Sequence, residues 1–172
     1  MASGSGSSRG IHLIDLLSSI PGWLATFVLA MSPIFELRGA IPLAIGVYGI
    51  PPLEAYAISV VGNLVPVVLL LLFLEPVSRH LMRYRPCKAF FSWLFTRTYR
   101  NHVERHRKYG ILALVFFVSL PLPVTGAWTG SAIAFIFGLR FREAFPAIAA
   151  GVLIAGAVVT ASVVGAISLA FS

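Results

Sequence analysis

Four apolar stretches of this chain, roughly residues 22–34, 40–50, 110–122 and 127–139, are too short to cross a membrane. As a helix each reaches only ~17–20 Å, against a hydrocarbon core of ~30 Å. They come as two pairs, and Pro and Gly break each pair at its middle. The first break reads Ser32-Pro33-Ile34-Phe35-Glu36-Leu37-Arg38-Gly39-Ala40-Ile41-Pro42, the second Leu120-Pro121-Leu122-Pro123-Val124-Thr125-Gly126. A segment long enough to span follows each pair, residues 53–74 and 145–171. Short, interrupted hydrophobic segments in matching halves are what a sequence shows where a membrane transporter builds its binding site.

The two halves can be laid on each other. A shift of 89 residues puts Tyr48-Gly49 on Phe137-Gly138, Glu54-Ala55-Tyr56 on Glu143-Ala144-Phe145, Gly62 on Gly151 and Leu64 on Leu153. The order of elements repeats as well: broken pair, Gly-ended turn, Glu heading the next helix, Gly partway along it. That is a duplication, with repeat 1 at about 21–77 and repeat 2 at about 110–172.

Composition fixes the class. Apolar residues make up 58% of the chain, charged residues 11%, and mean hydropathy is +0.91. A soluble domain carries about twice that charge, so residues 11–172 are expected to form one integral membrane domain behind a flexible tail, residues 1–10. The single cysteine, Cys87, excludes an intrachain disulfide framework and a thiolate metal cluster. Nine of the thirteen Lys and Arg lie between Arg79 and Lys108. By the positive-inside rule this basic linker, residues 79–108, faces the cytoplasm. Its apolar Phe91, Leu94, Phe95, Tyr99 and Val103 recur at helical spacing, the pattern of an interfacial amphipathic helix on anionic lipid and not of a nucleic-acid binder. A second, shorter amphipathic stretch precedes Pro21.

The orientation follows. The span at 53–74 runs inward to the basic linker, and the span at 145–171 returns from the side of Arg140 and Arg142. The expected fold is all-α: an inverted repeat of two re-entrant helical hairpins, each followed by a transmembrane helix, with the hairpin tips meeting near the midplane. Broken backbone at that depth needs protein or a water-filled cavity around it. The competing topology lets residues 11–34 span as one full helix.

Candidate chemistry gathers at the first tip. Glu36 and Arg38 are the only charged residues between Asp15 and Glu54, flanked by Pro33, Gly39 and Pro42. A charge inside the membrane is costly and marks a functional site by default. Arg38 with a helix N-terminus freed by the break makes a cradle for an anionic group. Glu36 is the candidate carrier of a coupling proton, or else one half of a fixed bridge to Arg38 or to backbone. The second tip offers Pro121, Pro123, Thr125, Gly126, Trp128 and Thr129, for hydrogen bonds to a substrate or for capping of the half-helices. Gly126 and Gly130 permit close helix approach. Asn63, inside the first spanning helix, needs a polar partner and is expected to face the tips or a neighbouring helix. No intramembrane His pair, nucleophile elbow or phosphate loop occurs, so neither an enzyme nor a cofactor or metal site is expected.

The stretch from Glu36 to Ala44, followed eighty-odd residues on by Leu120 to Gly130, resembles the small multidrug export protein family of bacteria and archaea across about residues 25–165. More distantly, two Pro/Gly-rich re-entrant hairpins look like the DedA/VTT group, associated with moving lipid phosphates; here, though, acid and base share one hairpin and the second lacks an Arg. The resemblance implies a small multi-pass transporter of the cytoplasmic membrane. The Glu36/Arg38 tip points to an anionic or amphipathic substrate, with protons as the candidate coupling ion. A lipid-phosphate flippase or scramblase and a non-transporting scaffold are the alternatives. Two spanning helices make a thin wall, so a homodimer or higher oligomer is expected, with membrane lipid as the other partner.

Overall fold

A computed structural model describes residues 21–81, 103–120, 126–137 and 139–170, side chains of 75–81 and 103–109 excepted. These residues form six helices: α1 (Gly22–Met31), α2 (Glu36–Gly46), α3 (Pro52–Leu81), α4 (Val103–Ser119), α5 (Ala127–Ile136) and α6 (Phe141–Ala170). Two of them, α3 over Pro52–Leu74 and α6, are long and apolar enough to cross a membrane; α1 and α5, and the apolar Gly110–Ser119 part of α4, are not. This is an all-helical membrane protein among the described residues. Glu36 and Arg38 head α2, while Pro121, Pro123 and Thr125 fall outside the description.

The element ends follow from local chemistry. Pro21 is extended (φ −54°, ψ 133°), so α1 starts at Gly22 and does not continue a longer helix from upstream; it stops at Ser32 before Pro33. A helix spanning 11–34 is therefore not what forms. Gly49, at φ +62°, turns the chain from α2 into α3, whose first residue is Pro52, the place in a helix where a missing N–H costs nothing. Glu143 accepts the Arg140 N–H at 3.4 Å and so helps to open α6. Two boundaries differ from expectation. Helix α3 runs past Glu75 to Leu81, and α4 begins at Val103, so both ends of the expected 79–108 linker helix belong to neighbouring helices. Glu104, Arg105, Arg107 and Lys108 are good helix formers and prolong the apolar helix behind them.

The two halves pack alike. Helix α1 packs on α2 and α3 as α4 packs on α5 and α6; α2 crosses to α6 as α5 crosses to α3, and α3 meets α6 between them. Equivalent bonds recur 89 residues apart: Ala55 N–H to Pro51 O and Ala144 N–H to Arg140 O, both 2.9 Å. Gly62 and Gly151, matched by the same shift, do the same work. A Cβ on Gly62 would stand 2.7 Å from Phe27 O of α1, and one on Gly151 3.0 Å from Val115 O and 2.6 Å from Val118 of α4. Each glycine lets a long helix lie against the backbone of the short helix before it, which is how helices associate where lipid removes the hydrophobic drive. Leu37, Ile41, Val67, Val118, Ile148 and Val152 close the core. Phe73, Phe116, Ile154 and Leu169 turn outward, as lipid-facing residues do.

Gly62→Ala and Gly151→Ala should each destabilise the protein by about 1–3 kcal/mol through overpacking, read as a lower Tm in detergent. Gly165→Ala is the control, since its added Cβ would meet nothing within 4 Å.

Candidate functional site

Each short helix leaves backbone groups at its ends that need partners. Each half supplies the cap for the other. The Glu36 carboxylate accepts the backbone N–H groups of Ala127 and Trp128, the first two residues of α5. In return, the Trp128 indole Nε1–H donates to Met31 O, the last residue of α1, at 3.2 Å. An acid on a helix N-terminus also meets the positive end of the helix dipole.

Glu36 reaches that seat at a cost. Its φ of +46° is the only positive value at a non-glycine among the described residues, a backbone state costing roughly 1–2 kcal/mol. Gly126, at φ +155°, makes the seat possible: a Cβ there would collide with both carboxylate oxygens and Cδ of Glu36. Strain held in place by a specific partner is a frequent mark of function.

Arg38 stands behind the carboxylate, Nη2 to Oε2 3.9 Å, with its side chain 25% exposed against 10% for Glu36. The two share a crevice with Asn63, Gly126, Ala127, Val118, Val152 and Ala155, about 10 Å³ in size and thus roomy enough for one water. Asn63 therefore does face the tips. It is buried, and its Oδ1 has no hydrogen-bond partner.

The remaining sequence candidates separate. Gly39 packs under Phe35, Pro33 lies exposed in the turn at the first tip, and Pro42 sits half-buried inside α2. Thr129 belongs to α5 but does not line the crevice. The anion cradle expected at the first tip forms elsewhere: the N-terminus in play is that of α5, and Glu36 itself fills it. One residue went unforeseen. Ser59, one turn before Asn63, is fully buried and its Oγ also lacks a partner; a single serine in an apolar helix gives no sequence signal, because most bond back to their own helix.

Beside the crevice lies an open groove of about 260 Å³, entirely apolar, between Pro66, Leu69, Leu70, Phe73 and Leu74 of α3 and the ring of Trp128. One residue thus touches both features: Trp128 walls the groove while its backbone N–H holds Glu36.

Glu36→Ala and Gly126→Ala should each cost about 1.5–3 kcal/mol, the range for a hydrogen bond to a charged group, and together less than the sum, because both empty the same seat. Glu36→Gly, which relieves the positive φ, should unfold at a higher temperature than Glu36→Ala. Thermal unfolding of the four variants in detergent reads this directly.

Comparison with known proteins adds one finding. Residues 36–158, more than half of the chain, match a family model described as "Putative small multi-drug export protein". The match opens at Glu36 itself and takes in both tips. No curated protein and no solved structure gives a match.

Proposed function

The chain belongs to the putative small multi-drug export protein family, and on that premise we propose that it is a small exporter of amphipathic molecules, gated by protonation of Glu36. The observation that carries this reading is the double role of Trp128, which borders the apolar groove and holds the Glu36 carboxylate. With Glu36 ionised, two charge-assisted bonds tie the first tip to α5. Protonation converts the carboxylate into a weaker acceptor and loosens that tie. A substrate body pressed on the Trp128 ring biases the same equilibrium from the groove side, so proton and substrate are coupled through one residue.

The paired packing of the halves and the matching work of Gly62 and Gly151 support two inverted re-entrant hairpins meeting at mid-membrane. The basic residues between Arg79 and Lys108 support a cytoplasmic linker in a multi-pass protein of the cell membrane. A homo-oligomer would thicken the wall around the hairpins; Ile34 and Phe35 stand exposed at the first tip, where a second copy would cover them. The substrate reading rests on the groove, which offers no polar surface. An anionic or phosphate head group would first have to displace Glu36 from the α5 N-terminus, so that class is the less favoured one.

The test is transport in proteoliposomes under an imposed proton gradient, with ethidium as the amphipathic cation and a fluorescent lipid phosphate as the second probe. Gradient-dependent ethidium movement is expected, slowed at least about tenfold in Glu36→Gln, the equivalent of one charge-assisted hydrogen bond. Trp128→Ala should raise the half-saturating ethidium concentration. Equal ethidium movement with and without the gradient, or full activity in Glu36→Gln, would sink the reading; gradient-independent movement of the lipid alone would favour a scramblase.

A further inference from the structure

Among the described residues, the other buried hydroxyls are satisfied one turn back along their helix. Thr26 Oγ1 donates to Gly22 O at 2.8 Å and Ser131 Oγ to Ala127 O at 2.7 Å. Ser59 Oγ and Asn63 Oδ1 do not follow the rule: both are fully buried and have no protein partner. Four residues apart on α3, they share one helix face about 6 Å from each other. Asn63 lies about 16 Å along α3 from Pro52, close to the middle of a ~30 Å hydrocarbon layer. An unpartnered polar atom is at its most costly there.

Packing does not require this pair. The 89-residue shift carries Ser59 to Ile148 and Asn63 to Val152, both fully buried in α6. Equivalent places in a similarly packed half hold apolar side chains, so the polar residues of α3 serve something besides the core. What they adjoin is the Glu36 crevice, which Asn63 lines and which has room for one water.

We propose that Asn63 and Ser59 form a buried water-binding site that carries protons between Glu36 and the Pro52 end of α3. The inference rests on the reading of Glu36 as the proton-carrying group. In the loading step the Glu36 carboxylate takes a proton from the water on Asn63, forming one O–H bond as another breaks. That water regains a proton from the Ser59 hydroxyl, which is reprotonated in turn from the aqueous phase, so neither hydroxide nor alkoxide is left behind. Unloading runs the same sequence in reverse. A metal cation fits the crevice poorly, because the Arg38 guanidinium lies 3.9 Å from the carboxylate. Arg38 is also the charged group that acts on Glu36. The other crevice side chains, from α3, α4, α5 and α6, are Asn63, Val118, Ala127, Val152 and Ala155, none of which titrates.

The experiment is a pH jump on the full chain in lipid, followed by time-resolved infrared absorption of the protonated carboxyl C=O stretch. The band is assigned by its loss in Glu36→Gln. The variants are Ser59→Ala, Asn63→Val and the double variant, with Asn63→Ser as the conservative replacement that keeps a water ligand. The expected result is a rate at least tenfold slower in the double variant with the same final amplitude, partial slowing in Ser59→Ala, and recovery in Asn63→Ser. Tm should hold or rise, because unsatisfied polar groups have been removed; a merely structural role for the pair would lower it. An unchanged rate in Ser59→Ala and in the double variant overturns the relay while leaving Glu36 as a proton carrier. A sodium-dependent shift in Tm that needs Asn63 overturns it in favour of a cation site. A wild-type protein with no Glu36 band overturns the relay together with the reading on which it rests.

Discussion

A helix that stops inside a membrane has to hand its loose backbone groups to something other than water. In this protein two ends of the short apolar helices are satisfied across the halves: the α5 N-terminus by the Glu36 carboxylate, the α1 C-terminus by the Trp128 indole. Neither cap is local, and that is what ties residues ninety positions apart into one site. The positive φ of Glu36 and the bare Cα of Gly126 are consequences of the same bond. Helix ends capped by their own neighbours would need neither, and would leave the halves free of each other.

Around that bond the scaffold is built from small residues. Gly62 and Gly151 bring each long helix onto the short helix before it, Gly130 brings α5 onto Val118 of α4, and Gly156 lies under the Tyr56 ring. The Tyr56 hydroxyl donates to Leu153 O at 3.2 Å and ties α3 to α6. Contacts of this kind depend on shape, because lipid tails are as apolar as the helices themselves. The result is a frame held firmly at the helix crossings, with the groove and the crevice set between them.

The sequence made much of this legible, and the limits have physical reasons. Broken apolar pairs were readable because Pro and Gly act on their own neighbours, and the Gly62–Gly151 match because close helix approach tolerates little else. Glu36 stood out because a charge in an apolar run is rare. Its partner did not, since backbone N–H groups carry no residue signature and Ala127 looks like any alanine. Arg38, the obvious partner two positions away, is only a 3.9 Å neighbour. The start of α4 at Val103 was hidden for a different reason: a charged helical turn running into an apolar one reads as a boundary in hydropathy although the backbone continues through it.

The two halves pack alike; their chemistry differs. The shift that matches Gly62 with Gly151 sets Glu36 against Thr125, Arg38 against Ala127, Ser59 against Ile148 and Asn63 against Val152. Each charged or buried polar group of the site thus belongs to the first half, while the second contributes backbone donors and apolar walls. With one acid and one N-terminus for it to cap, this tie between the halves rests on a single carboxylate. On the proposed reading a single proton would set that tie, which would account for the polar groups gathering in one half.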